Sequence, residues 1–176
     1  MEVAGLDRIV VGVDGSPQAA GAMSWAIALA RTTGANVVAV FAHDPAPLAY
    51  TGFEVAPPVP YDERIREELK AAFETEWCAP LRDSGVGYHT VFRQGRPAQV
   101  IAEVADQVDA DLVVVGRRGR GPVAELLLGS VSHELSHHCR RPVLLISEPV
   151  RQPGSVSVDS AARTSSKTPL GPALSK

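Results

Sequence analysis

Leu112-Val113-Val114-Val115-Gly116-Arg117-Arg118-Gly119-Arg120-Gly121-Pro122-Val123-Ala124-Glu125-Leu126-Leu127-Leu128-Gly129-Ser130-Val131-Ser132 is the stretch whose reading decides the fold. Its first four residues form an apolar run between Asp111 and Gly116, the pattern of a strand buried on both faces. The turn that follows carries glycines at 116, 119, 121 and 129 and arginines at 117, 118 and 120. Ser130 then stands where a helix can begin, and serine is a favoured N-cap. Glycine lets a backbone approach a ligand closely and adopt positive φ. A helix N-terminus offers unpaired N–H groups and partial positive charge. Strand, glycine-rich turn and helix start together make a candidate phosphate cradle.

Outward from this stretch, the chain alternates between short apolar runs and helical patterns. Residues 8–13 read as a buried first strand, and Ser16-Pro17 as a helix start with serine as the cap. Trp25, Ala26, Leu29 and Ala30 supply part of an apolar helix face, which Gly34 stops. Residues 36–42 are a second buried strand. Five prolines between 43 and 60 predict a long loop. Ile65, Leu69, Ala72, Phe73 and Trp77 then recur on one helical face until Pro80 ends or kinks the helix. Residues 87–93 form a less apolar strand, as near a sheet edge. Pro97 opens a helix with Val100, Ile101, Val104 and Ala105 inward, and a helix at 130–139 precedes a last strand at 142–147. This order predicts an α/β fold, a Rossmann-like open parallel five-stranded sheet with helices on both faces.

At 176 residues, with 45% hydrophobic and 21% charged residues, the chain suits one domain with a proper core. That domain is expected over residues 1–148. Residues 149–176 have no aromatic and no apolar periodicity, and are expected to form a disordered tail. The net charge of -3 argues against a general nucleic-acid or membrane-surface binder, so the three arginines are a local feature. Cys78 and Cys139 are far apart and in no CxxC arrangement, so neither a disulfide framework nor a thiolate metal site is expected. The N-terminal residues lack a basic region followed by an apolar core, and no apolar run approaches a bilayer's span. No membrane partner is expected, and the cytoplasm is the expected compartment.

The spacing Gly116-x2-Gly119-x9-Gly129-Ser130 is not a Walker A motif, since no Gly-Lys-Ser/Thr follows. Nor does a GxGxxG open a helix after the first strand. The spacing resembles instead the G-x2-G-x9-G-(S/T) signature of the ATP-binding type of the universal stress protein family. The resemblance also takes in Val11-Gly12-Val13-Asp14-Gly15-Ser16, Gly95-Arg96-Pro97-Ala98, Leu126 to Ser132, and Arg141 to Ile146. It implies the strand order 3-2-1-4-5, which pattern alone does not give. The order then reverses between strands 1 and 4, where ligands in open α/β sheets bind.

The resemblance also implies an adenine nucleotide, ATP with Mg2+, as the cofactor. Val13 and Ala42 match positions that line the adenine, with Gly12 beside them, and Asp14 matches the aspartate at the ribose hydroxyls. Gly116, Gly119 and Gly129 would bring backbone N–H groups to the phosphates, together with Ser130, Val131 and Ser132. One of the clustered arginines is expected to neutralise phosphate in place of a Walker lysine, and Arg117 is the candidate carried into the site. Glu125 is expected to face solvent. A homodimer is implied through the last strand, which would otherwise be an open apolar edge.

Two further readings belong to other classes. One is an enzyme, a slow ATP hydrolase; no positioned base is evident, so binding rather than efficient catalysis is expected. The other follows from His133-Glu134-Leu135-Ser136-His137, which matches the HExxH zinc-peptidase motif. No Gly-x-x-His follows to add a third ligand, and the helix start is already committed to Gly129-Ser130. A third possibility, an assembly module without nucleotide use, leaves the full glycine spacing unexplained.

Overall fold

The computed structural model describes residues 5–44, 63–119 and 128–147. The expectations for residues 45–60, Arg120, Glu125 and the 149–176 tail lie outside the described residues. Five parallel strands, β1 (Arg8–Gly12), β2 (Asn36–His43), β3 (Tyr88–Gln94), β4 (Leu112–Gly116) and β5 (Val143–Ile146), stand in the order β3-β2-β1-β4-β5. Around them lie α1 (Pro17–Thr33), α2 (Glu63–Ala72), a π-helical turn (Phe73–Trp77), α3 (Ala79–Arg82), α4 (Pro97–Gln107) and α5 (Ser130–His138).

The period-2 alternation of strands divides the apolar residues into two cores, one on each face of the sheet. Ile9, Val11, Val37, Ala39, Phe41 and Val114 point to one side, where α1 and the π-helical turn cover them through Met23, Ala26, Ile27 and Phe73. Val10, Val38, Val40, Val113 and Val115 point to the other, under Ile101, Val104 and Ala105 of α4 and Leu135 of α5. Continuous valine runs therefore reflect burial on both faces, as expected for a parallel sheet.

Local signals explain the helix ends. Ser16 caps α1, its Oγ accepting the Ala19 N–H at 3.1 Å, and Pro17 stands in the first turn. Gly34 closes α1 in the left-handed conformation at φ 80°, its N–H reaching the Ala30 carbonyl at 2.8 Å. The break near Pro80 comes earlier than the proline itself. The Cys78 N–H bonds back five residues to the Phe73 carbonyl at 3.1 Å, and Pro80 stands in the first turn of the separate helix α3. Proline has no N–H to continue a ladder and crowds the carbonyl four residues back, so the turn widens ahead of it.

Two expected core residues are outside. Trp25 is 46% and Ile65 49% exposed. On α1 the buried stripe runs instead through Ala19, Ala22, Met23, Ala26, Ile27 and Ala30, so small residues rather than the largest one set the inward face. Next to Ile65's helix, Phe73 is fully buried and joins Phe41 and Phe92 in an aromatic group. Leu69 and Trp77 pack partly against the same core. β3 is an edge strand, with Tyr88, His89 and Thr90 exposed, as its polarity predicts.

Candidate functional site

β1 and β4 pair side by side, and the chain leaves them in opposite directions, β1 toward α1 and β4 toward α5. That divergence opens a crevice beyond their C-terminal ends. A cavity of about 290 Å³ lies there. Gly12, Val13, Asp14, Ala42, Gly116, Gly119, Gly129, Ser130, Val131 and Ser132 all line it. Residues that are over 100 positions apart in sequence thus meet at one place. Val40, Phe41, Pro97, Ile101 and Val115 complete its apolar wall. Sequence reasoning did not assign them, because an apolar residue at a strand or helix end carries no local sign of which cavity it borders.

The three signature glycines are required by close approach. None of Gly116, Gly119 and Gly129 has positive φ. A Cβ on Gly116 would lie 2.9 Å from Cβ of Gln18 on α1, and one on Gly119 2.6 Å from Oδ2 of Asp14. A Cβ on Gly129 would lie 3.2 Å from the Arg118 Cα. The spacing therefore records three tight contacts, of which the Gly119–Asp14 contact joins the β1 and β4 sides of the cavity. Gly12 is a fourth close contact, since a Cβ there would lie 2.9 Å from Val115 and 3.0 Å from Ile101.

Asp14 is held in place from below. Its Oδ1 accepts the Ser16 N–H at 2.9 Å, fixing the carboxylate at the start of α1. The turn role and the cavity role belong to different oxygens, because Oδ2 is the atom that faces Gly119.

At α5 the expected serine cap gives way to a glycine. Gly129 is the N-cap, in extended conformation with φ −71° and ψ 161°, and no side chain caps the helix. Ser130 is already its first helical residue. The reason is the incoming chain: the Gly129 N–H donates to the Arg117 carbonyl at 2.9 Å, and a side chain on Gly129 would press on Arg118. Ser132, only 1% exposed, ties down the same corner, its Oγ donating to the carbonyls of Arg117 at 2.6 Å and Gly129 at 3.0 Å. The first N–H groups of a helix have no partner within it. Here no described side chain caps them, and they belong to residues that line the cavity.

Arg117 does not line the cavity, whereas Arg118 does. The Arg117 backbone serves as the anchor for Gly129 and Ser132. Arg118 has a buried Nε with no hydrogen-bond partner among the described residues. Of the two arginines, Arg118 is therefore the one that borders the cavity. Asp14 and Arg118 are the charged residues lining the cavity among the described residues.

The HExxH residues lie on the outside of α5. His133 and His137 are exposed, and Glu134 is paired with Arg96 at 3.2 Å. Among the described residues no three histidine, cysteine, aspartate or glutamate side chains are grouped to hold a metal, and no helix is long and apolar enough to cross a membrane.

Comparison with known proteins agrees with the sheet order. A universal stress protein of Thermus aquaticus is 33% identical over 138 residues, covering 78% of this chain and 96% of that one. The solved structure of universal stress protein UspA from Lactobacillus plantarum superposes with a TM-score of 0.63 at 25% identity, covering 82% of this chain and 99% of the other. A universal stress protein solved in complex with cAMP superposes with a TM-score of 0.55, again at 25% identity, with 81% of this chain and 98% of that one covered. The profile of the universal stress protein family matches residues 5–147, and the chain belongs to that family.

Proposed function

We propose that the protein is a nucleotide-binding regulator that holds ATP, with Mg2+, in the cavity between β1 and β4. The observation that carries the reading is the N-terminus of α5, which no described side chain caps, opening on a cavity that Val13, Val40, Phe41, Ala42, Ile101 and Val115 line on its apolar side. Backbone N–H groups and a helix dipole suit phosphate, and an apolar slot suits a purine ring. The relative solved with cAMP is a precedent for an adenine nucleotide on this fold.

In this reading the base lies against Val13, Phe41 and Ala42, and the ribose hydroxyls donate to the Asp14 carboxylate. The phosphates meet the N–H groups of Ser130, Val131 and Ser132, and Arg118 supplies counter-charge. Among the described residues Asp14 is the only carboxylate on the cavity wall. Mg2+ would therefore be held mostly by phosphate oxygens and water, as this ion commonly is. Its chemistry would be charge neutralisation. Among the described residues no side chain on the wall is placed as a general base, so ATP would be bound rather than turned over, with turnover below about 1 per second.

We also propose a homodimer through β5. It is a sheet edge, and Val143, Leu144 and Leu145 are only half-buried there. A monomer in light scattering at micromolar concentration contradicts the dimer. Calorimetry with ATP and Mg2+ tests the binding. Saturable binding of one nucleotide per chain is expected, weaker for AMP because fewer phosphates reach α5. No heat at millimolar ATP overturns the reading.

A further inference from the structure

α5 presents two histidines on its outer side. Residues four apart lie on one face of a helix, a turn above one another. The rotation of α5 is fixed by Leu135 and Ser132, both 1% exposed, which seat the opposite face on the sheet and the glycine loop. His133 and His137 are consequently held outward, with ring centroids 4.7 Å apart in an edge-to-face arrangement. Glu134, the residue that would complete a peptidase motif, is turned to Arg96 at 3.2 Å.

The geometry points to a metal site separate from the nucleotide cavity, in which His133 and His137 chelate one divalent transition ion of the zinc or copper class. Imidazole nitrogens bind Zn2+ at about 2.0–2.1 Å, which sets two nitrogens on a shared tetrahedral ion roughly 3.4 Å apart. With their ring centroids 4.7 Å apart, the two imidazoles are near enough for side-chain rotation to aim one nitrogen of each at a shared ion. Imidazole favours zinc, copper and nickel over the oxygen-seeking magnesium and calcium. The helix is folded before the ion arrives, so chelation orders two side chains and no backbone. Water completes the coordination shell, and with Glu134 engaged elsewhere the ion clamps α5 rather than activating a nucleophile. The clamp begins one turn from Ser130 on the cavity rim.

The test is calorimetry of the tag-free full chain with Zn2+ alone, comparing the wild type with His133→Gln, His137→Gln and His138→Gln. The His138 ring lies 6.4 Å from that of His137 and serves as the control. The wild type and His138→Gln are expected to bind one ion per chain. Either of the other substitutions should weaken binding by at least the roughly 10- to 100-fold that loss of an outer-sphere partner alone produces. Because all three positions are exposed, circular dichroism of the variants should match the wild type. Absence of saturable Zn2+ binding by the wild type overturns the assignment. So does an equal loss in His138→Gln, or no loss in the other two. Nucleotide binding has no part in this readout, so it fails or succeeds apart from the ATP proposal.

Discussion

The two ends of the sheet are built on opposite plans. At the N-terminal end, every strand start is tied to its neighbour. The Asp111 carboxylate accepts the N–H groups of Asp7 at 2.8 Å and Arg8 at 2.9 Å, while the Asp111 N–H donates to the Arg8 carbonyl at 2.9 Å. Arg8 also reaches the Val108 carbonyl at 2.6 Å, and the Asn36 N–H bonds to the Asp7 carbonyl at 2.8 Å. At the C-terminal end, β1 and β4 part, glycines stand where side chains would fill the gap, and α5 starts without a cap. The first end spends its polar groups on itself. The second leaves a crevice at its centre, and the proposed nucleotide site puts binding there and stability at the sealed end.

The contrast can be broken first at the open end. Gly119→Ala drives a Cβ toward Asp14 Oδ2, and Asp14→Ala removes the carboxylate itself. A hydrogen bond to a charged group contributes about 1.5–3 kcal/mol, so either change should lower nucleotide affinity by about ten- to a hundredfold in calorimetry. Melting of the nucleotide-free protein should change much less.

At the sealed end the effects should reverse. Asp111→Ala strands two backbone N–H groups. Water at the rim keeps the cost near the lower limit for such a loss, about 1 kcal/mol in denaturant titration, with nucleotide affinity unchanged. An equal effect of Asp111→Ala on both readouts would dissolve the division between the ends.

A smaller effect follows from acid titration. The backbone N–H of Arg8, then that of Asp7, favours the ionised Asp111 and holds its pKa below the ordinary aspartate range, against some opposing desolvation. The folded state therefore prefers the carboxylate. Its contribution is complete above the unfolded pKa and is lost as pH falls through the lower folded value. Asp111→Asn should flatten this part of the acid limb of stability.

The mildest probe leaves the sheet ends and samples the core. Burial raises the Cys78 thiol from 9.0 to about 11. Folding thus favours the neutral thiol, a contribution present below about pH 9 and lost as pH rises through about 11. A thiol reagent at neutral pH should label the half-buried Cys139 first and reach Cys78 only on unfolding. Equal rates for both would mean that the core opens readily.

Much of this was legible in the sequence because the constraints were local. Ser16-Pro17 and Gly34 announce the ends of α1, and Leu112 to Val115 could only be a strand buried on both sides. The spacing of Gly116, Gly119 and Gly129 brings all three to the cavity between β1 and β4, though for close approach and not for positive φ. What failed depended on contacts distant in sequence. Ser130 has the chemistry of a cap, but the Arg117 carbonyl sets the position of Gly129 instead. Arg117 and Arg118 are indistinguishable by type, and only the path of the chain decides which one borders the cavity. Trp25 looks like a core residue by size, yet the tight packing of α1 on the sheet selects alanines. Strand order likewise came from family resemblance, since no pairing rule in the sequence orders five similar strands.

The corner at Arg117 has an engineering consequence. Its carbonyl binds both the Gly129 N–H and the Ser132 hydroxyl, so the chain after β4 and the start of α5 are fastened to each other. Lengthening a loop whose ends are already joined adds only about 0.6 kcal/mol per doubling. A foreign peptide spliced between Gly119 and Leu128 would inherit that fastening, which makes this junction a natural port for an epitope or a fluorescent tether beside the cavity.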